Sequence, residues 1–74
     1  MQSISSAKEI GTLIRERRKS LGYTQAQLAA LGGTGTRFVS DLENGKPTIE
    51  LGKTLMIASS LGIDVIAVLR GEGA

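Results

Sequence analysis

The organisation of this chain is clearest between Thr24 and Gly45, where the sequence reads TQAQLAALGGTGTRFVSDLENG. Thr24, followed three residues later by Gln27, matches a capping box. In this motif, two side chains satisfy backbone N–H groups that the first turn of a helix leaves open. The pattern predicts a short helix that ends near Leu31, because the two glycines that follow disfavour helix.

A second short helix is predicted from Gly35 or Thr36 to Glu43. Val39 and Leu42 form its inward stripe, and the Asn44-Gly45 dipeptide ends it. Two short helices joined by a glycine-containing turn form a helix-turn-helix. In this unit the buried stripe anchors the second helix, and its opposite face can enter a major groove of DNA.

The flanking segments predict two supporting helices. The first runs from about Ala7 to about Ser20, behind a second predicted capping box of Ser6 and Glu9. The other runs from about Leu51 to about Leu61. We therefore expect an all-α bundle of four helices in a single domain over residues 1–74, with a core over 7–62.

The segment over residues 63–70 leaves two alternatives open. Its β-branched side chains favour a strand, whereas Asp64 could cap a short fifth helix. A strand that is apolar on both faces needs cover on both faces, and its unpaired edges need a partner. A second copy of the chain would supply both, so this segment predicts a homodimer, with contacts from Val65, Ile66, Val68 and Leu69.

The composition excludes several classes of protein. The chain has 74 residues with no cysteine and no histidine, which removes disulfides, Ser-His-Asp and Cys-His catalysis, and most zinc sites. We expect no enzyme activity, no metal and no cofactor. No apolar run approaches the roughly 20 residues that span a bilayer, so we expect a cytoplasmic protein. A net charge of +2 is a weak indication of a polyanionic partner.

Two segments of the chain resemble the Xre/Cro/CI-like helix-turn-helix regulators of bacteria and phages. They are RERRKSLGYTQAQLA and FVSDLENGKPT. Within that family the likeness is to HipB-like small antitoxin repressors, and it covers about Ala7 to Leu61. The resemblance implies a lambda-repressor-like fold. It also implies a two-stranded sheet formed between subunits at the C-terminus.

The resemblance also assigns roles to individual residues. Gln25 matches a glutamine that hydrogen-bonds a DNA phosphate, and Arg18 and Glu43 match an ion pair that ties the first helix to the third. Two departures from the family are evident: Gly35 replaces the usual Ser or Thr cap, so the third helix is expected to fray without DNA, and Phe38 stands where small or polar residues are common. The other positions expected to face or contact DNA are Gly35, Thr36, Arg37, Phe38, Ser40, Asp41, Asn44 and Lys46.

Some of these side chains have two interpretations. Arg37 could bind guanine O6 and N7 together, or contact only a phosphate. Thr36 is expected to contact DNA, whereas Phe38 could meet a thymine methyl group or pack against the turn or a neighbouring subunit. The bases Arg15, Arg17 and Lys19 could form a solvated face or reach phosphates.

Together these features predict a sequence-specific, dimeric repressor of its own operon that binds a palindromic operator. It would associate with the bacterial nucleoid when bound to DNA. The HipB likeness adds an antitoxin role with a cognate HipA-like kinase toxin. The alternative is a protein-interaction module of the same fold that binds a toxin or another partner without specific DNA binding.

Overall fold

A computed structural model describes residues 2–71 as a bundle of four helices. As predicted, the class is all-α. No helix in this range is long and apolar enough to cross a membrane. The helices are α1 (Ala7–Ser20), α2 (Gln25–Gly32), α3 (Thr36–Glu43) and α4 (Leu51–Ser60).

The caps explain where the first two helices begin. At α2 the predicted capping box is complete: the Thr24 hydroxyl accepts from the Gln27 N–H at 3.0 Å, and the Gln27 side chain accepts from the Thr24 N–H at 2.8 Å. At α1 the Ser6 hydroxyl accepts from the Glu9 N–H at 3.1 Å. The Glu9 carboxylate, however, accepts from the backbone of Ser5, one residue earlier than a capping box requires.

The start of α4 at Leu51 agrees with the sequence prediction, but its cap was not apparent from the sequence. Glu50 is its N-cap, and the Glu50 carboxylate accepts from the backbone N–H groups of Gly52 at 2.7 Å and Lys53 at 2.9 Å. Glutamate is not among the preferred N-cap residues. Its negative charge nevertheless suits the positive end of the helix dipole.

The core lies where α3 packs on α1 and α2, and where α2 packs on α4. The closest approach is at Gly11 of α1, where an added Cβ would overlap the carbonyl oxygen of Leu42 in α3. A glycine inside a helical pattern can indicate such a contact, and Gly11 was missed. The buried apolar side chains are Ile14, Leu28, Ala29, Val39, Leu42, Ile57, Ala58 and Leu61.

The C-terminal segment corrects one prediction. Residues 63–69 have no regular secondary structure, so neither the expected strand nor the alternative fifth helix forms in the described chain. A strand needs a neighbour for its backbone hydrogen bonds, and residues 2–71 of a single chain contain no other strand. The exposed fractions are 59% for Val65, 65% for Ile66, 51% for Val68 and 67% for Leu69.

Candidate nucleic-acid interface

Helix α3 has one buried face and one open face. Val39 and Leu42 are almost completely buried, whereas Thr36 and Arg37 are exposed near its N-terminus. Ser40 and Asp41 are half-buried, and follow Thr36 and Arg37 by four residues on the same face. The structure thus brings these four predicted DNA-facing residues to one surface.

A buried ion pair holds the end of α3 against α1. The Arg18 guanidinium donates to both Glu43 carboxylate oxygens, from Nε to Oε2 at 2.6 Å and from Nη2 to Oε1 at 2.9 Å. The two side chains are only 10% and 3% exposed. This two-point contact fixes the orientation of α3 as well as its distance from α1.

Helix α2 joins the same cluster. The Gln25 amide donates to Glu43 Oε1 at 3.2 Å, and Arg18 Nη1 donates to the Tyr23 carbonyl at 2.8 Å. Burial acts to raise the pKa of the Glu43 carboxyl. The hydrogen bonds from Arg18 and Gln25, together with the charges of Arg18 and Arg15, outweigh burial and lower that pKa.

Gln25 is therefore already engaged within the protein. Its amide has two N–H donors, and one of them is directed to Glu43. The other donor remains available for the predicted phosphate contact. The position at the first residue of α2 also suits an anion, because the positive end of the helix dipole lies there.

The turn after α3 positions two further predicted contacts. Gly45 adopts a left-handed conformation with φ of 77°. Its N–H donates to the Leu42 carbonyl at 3.1 Å, and the Lys46 N–H donates to the Asp41 carbonyl at 3.1 Å. This pair of bonds is a Schellman motif. It leaves the exposed Asn44 and Lys46 beside the C-terminal end of the open face.

Gly35 and Phe38 occupy different surroundings at the start of α3. Gly35 is the N-cap and provides no side-chain hydrogen bond, as its sequence implies. Phe38 is half-buried against the core, and Lys53 Nζ lies 5.8 Å from the centre of its ring. The position of Phe38 favours the packing interpretation of this residue.

One of the bases near the end of α1 has a structural contact. Arg17 Nε donates to the Leu61 carbonyl at 2.9 Å and so caps the C-terminus of α4. Arg15 contributes to the lowered pKa of Glu43, whereas Lys19 is simply exposed. No local pattern around Arg17 signals this contact, since its partner lies 44 residues away.

The family model described as helix-turn-helix (HTH_3) matches residues 14–67, which include the whole α2–α3 unit. The chain belongs to this helix-turn-helix family. It is a DNA-binding transcriptional regulator of the Xre type and not an enzyme. An HTH-type transcriptional regulator of Sinorhizobium fredii, y4mF, is 41% identical over 69 residues, which cover 93% of this chain and 91% of the relative.

Solved structures of other helix-turn-helix proteins share the fold. A HipB variant in a complex with an O2 20mer is 26% identical, with a TM-score of 0.85 over 95% of this chain and 97% of that chain. The restriction-modification controller protein C.AhdI from Aeromonas hydrophila is 31% identical. Its TM-score is 0.70 over 78% of this chain and 88% of that chain.

Proposed function

We propose that this helix-turn-helix regulator binds a palindromic operator as a homodimer and represses its own operon. The observation that carries the proposal is the open face of α3. Thr36 and Arg37 project outward from a helix whose other face is buried in the core and locked by the Glu43 ion pair. A rigid helix with a free polar face suits insertion into a major groove.

The proposed DNA contacts divide into two classes. Gln25 at the start of α2 and the two residues after α3, Asn44 and Lys46, would hold phosphates on either side of the groove. The open face would meet base edges, with Arg37 donating to guanine where the operator presents one. The family resemblance supports Gly35, Thr36 and Phe38 as further members of the surface, although Phe38 is half-buried against the core. Ser40 and Asp41 join them because they lie one turn beyond Thr36 and Arg37 on the open face.

The C-terminal segment would form the dimer contact. Its exposed apolar side chains form a patch that a monomer would leave in water, and such patches mark interaction sites. Pairing with the same segment of a second copy would give each backbone edge a partner. Two recognition helices would then enter successive major grooves about 34–36 Å apart.

The antitoxin role is a further part of the proposal. Its support is the sequence likeness to HipB-like antitoxins and the shared fold with HipB over nearly the whole chain. The proposed partner is a cognate HipA-like kinase toxin. Co-expression with a kinase of that class would test it: restored growth and a stable complex support the role, whereas undiminished toxicity contradicts it.

Selection from a random duplex library tests the DNA-binding part. The wild-type chain is compared with a Thr36→Ala/Arg37→Ala double variant. We expect a two-fold symmetric motif for the wild type, weakened or relaxed in the variant. If the variant selects the same motif, residues other than these two recognise the bases. If the folded wild-type protein enriches no sequence, the result contradicts the function itself.

Salt dependence tests the docking mode. If a dimer neutralises about 6–10 phosphates, a plot of log affinity against log salt should have a slope of roughly −5 to −9. The measurement is a titration of the selected duplex at several salt concentrations. A nearly flat slope would contradict docking in the groove.

Sedimentation velocity tests the dimer. Ile66→Asp places a charge in the proposed contact and should yield monomers. Leu51→Asp is the matched control, since Leu51 is 67% exposed and Ile66 is 65% exposed. Leu51 also begins a helix, where a negative charge is tolerated. A dimer that survives Ile66→Asp, or one that Leu51→Asp disrupts equally, would contradict the assignment.

A further inference from the structure

The open face of α3 carries one negative charge, Asp41, beside one positive charge, Arg37. Asp41 follows Arg37 by four residues, so the two side chains lie on the same face of the helix. The Asp41 side chain is 33% exposed. A carboxylate at this position faces the same DNA as the arginine, although phosphates repel it.

The backbone holds Asp41 next to Lys46. The Schellman motif places the Lys46 N–H on the Asp41 carbonyl at 3.1 Å, and Gly45 supplies the left-handed residue that this turn requires. The side chains then meet: Lys46 Nζ lies 3.8 Å from Asp41 Oδ2. Lys46 is one of the proposed phosphate contacts, and before DNA arrives its charge lies near a carboxylate, although its side chain is 52% exposed and beyond hydrogen-bond distance of Asp41.

We propose that Asp41 is a specificity-determining residue, which restrains Lys46 and thereby weakens binding to DNA that lacks the operator sequence. This inference rests on the proposed function of the same surface. Discrimination between DNA sequences requires a penalty on the wrong partner as much as attraction to the right one. Asp41 would provide that penalty.

The restraint should act differently on the two kinds of DNA. Non-operator DNA is bound almost entirely through its phosphates. Lys46 must leave the Asp41 carboxylate to contact a phosphate, so Asp41 weakens binding to non-operator DNA. In the operator complex α3 lies in the groove, and Asp41 meets base edges. Amino groups of cytosine or adenine can donate to its carboxylate there, which frees Lys46 for the phosphate.

The test compares Asp41→Asn with the wild type on two labelled duplexes, one of random sequence and one carrying the motif that the wild type selects. Fluorescence anisotropy is measured across a salt series. An exposed ion pair changes an equilibrium constant by no more than about fivefold, which limits how far Asp41 can weaken a phosphate contact of Lys46. We therefore expect Asp41→Asn to tighten binding to the random duplex by about two- to fivefold for each docked protomer. Binding to the selected duplex should not tighten and should weaken where a base amino group donates to the Asp41 carboxylate, because Lys46 is already released in that complex.

Two controls separate this mechanism from a general effect of charge. Glu16→Gln changes the net charge equally at an exposed position of α1, on the side away from buried Ile14 and Arg18. It should leave both affinities within about twofold, because a distant exposed charge is screened by salt. In a Lys46→Gln background, Asp41→Asn should tighten binding to the random duplex clearly less than in the wild type, because only the direct repulsion between its carboxylate and the phosphates is then relieved.

Several outcomes would overturn the inference. They are equal tightening on both duplexes, no tightening on the random duplex, a matching effect of Glu16→Gln, or undiminished tightening in the Lys46→Gln background. A folded wild type that binds neither duplex would instead contradict the proposed function. Failure of the inference can therefore be distinguished from failure of the function.

Discussion

Replacing Glu43 with alanine should unfold much of this protein before it affects DNA recognition directly. The substitution removes both oxygens that the Arg18 guanidinium contacts, at 2.6 and 2.9 Å. Arg18 would keep its hydrogen bond to the Tyr23 carbonyl, but its side chain is only 10% exposed. A buried positive charge would therefore remain without a counter-charge.

The expected loss is large for a chain of this size. Removing one partner of a buried ion pair costs about 3–5 kcal/mol. A stability of about 0.05–0.15 kcal/mol per residue gives this 74-residue chain roughly 4–11 kcal/mol in total. Each kcal/mol shifts the Tm of such a domain by about 4–8 °C. Glu43→Ala should thus lower the Tm by roughly 12–40 °C.

Thermal melts followed by circular dichroism provide the assay. The informative control is Arg18→Met/Glu43→Leu, which removes both charges and fills the space with apolar groups. Such replacements of buried pairs are often neutral or stabilising, so the double variant should be more stable than Glu43→Ala. A Glu43→Ala protein that melts within about 3 °C of wild type would refute the reasoning, as would a double variant no better than the single one.

Three further predictions concern Glu43, Gly11 and Gly35. The folded-state pKa of Glu43 is lowered, so its contribution to stability is present above the unfolded pKa of about 4.5 and is lost as the pH falls through the folded pKa. Urea melts from pH 7 to pH 3 should show this loss of stability. The loss should be smaller in Arg18→Met/Glu43→Leu. Gly11→Ala should destabilise by about 1–3 kcal/mol in urea melts, since its methyl group would meet the Leu42 carbonyl; unchanged stability would contradict the close packing. Gly35→Ser should stabilise the protein by about 0.5–1 kcal/mol, because φ of −85° suits serine and no atom lies within 4 Å of the added Cβ. A loss of stability in the same urea melts would count against this account of the cap.

The sequence by itself predicted the features that depend on neighbouring residues. Helix α2 begins at a Thr24–Gln27 capping box and ends at glycine, and both signals act within a few residues. The missing side-chain cap at Gly35 was equally apparent. Glu50 was missed as the cap of α4 because glutamate rarely has that role.

The DNA-facing residues came from a different source. The helical spacing indicated which face of α3 is buried, and the family resemblance supplied the roles of Gln25, Asn44 and Lys46. The turn at Gly45 could have suggested the contact between Asp41 and Lys46, since a Schellman motif joins these two positions. The contact itself became evident only from the coordinates.

Contacts between distant parts of the chain depend on the tertiary structure. Arg17 caps α4 across 44 residues, which nothing in the sequence indicated. The ion pair between Arg18 and Glu43, 25 residues apart, was expected only through the family resemblance. The place of Gly11 inside a helical pattern can indicate a close contact, but only the packed helices show that its neighbour is the carbonyl of Leu42. Helix caps and stops are set by backbone groups within one turn, whereas these contacts depend on how whole helices pack.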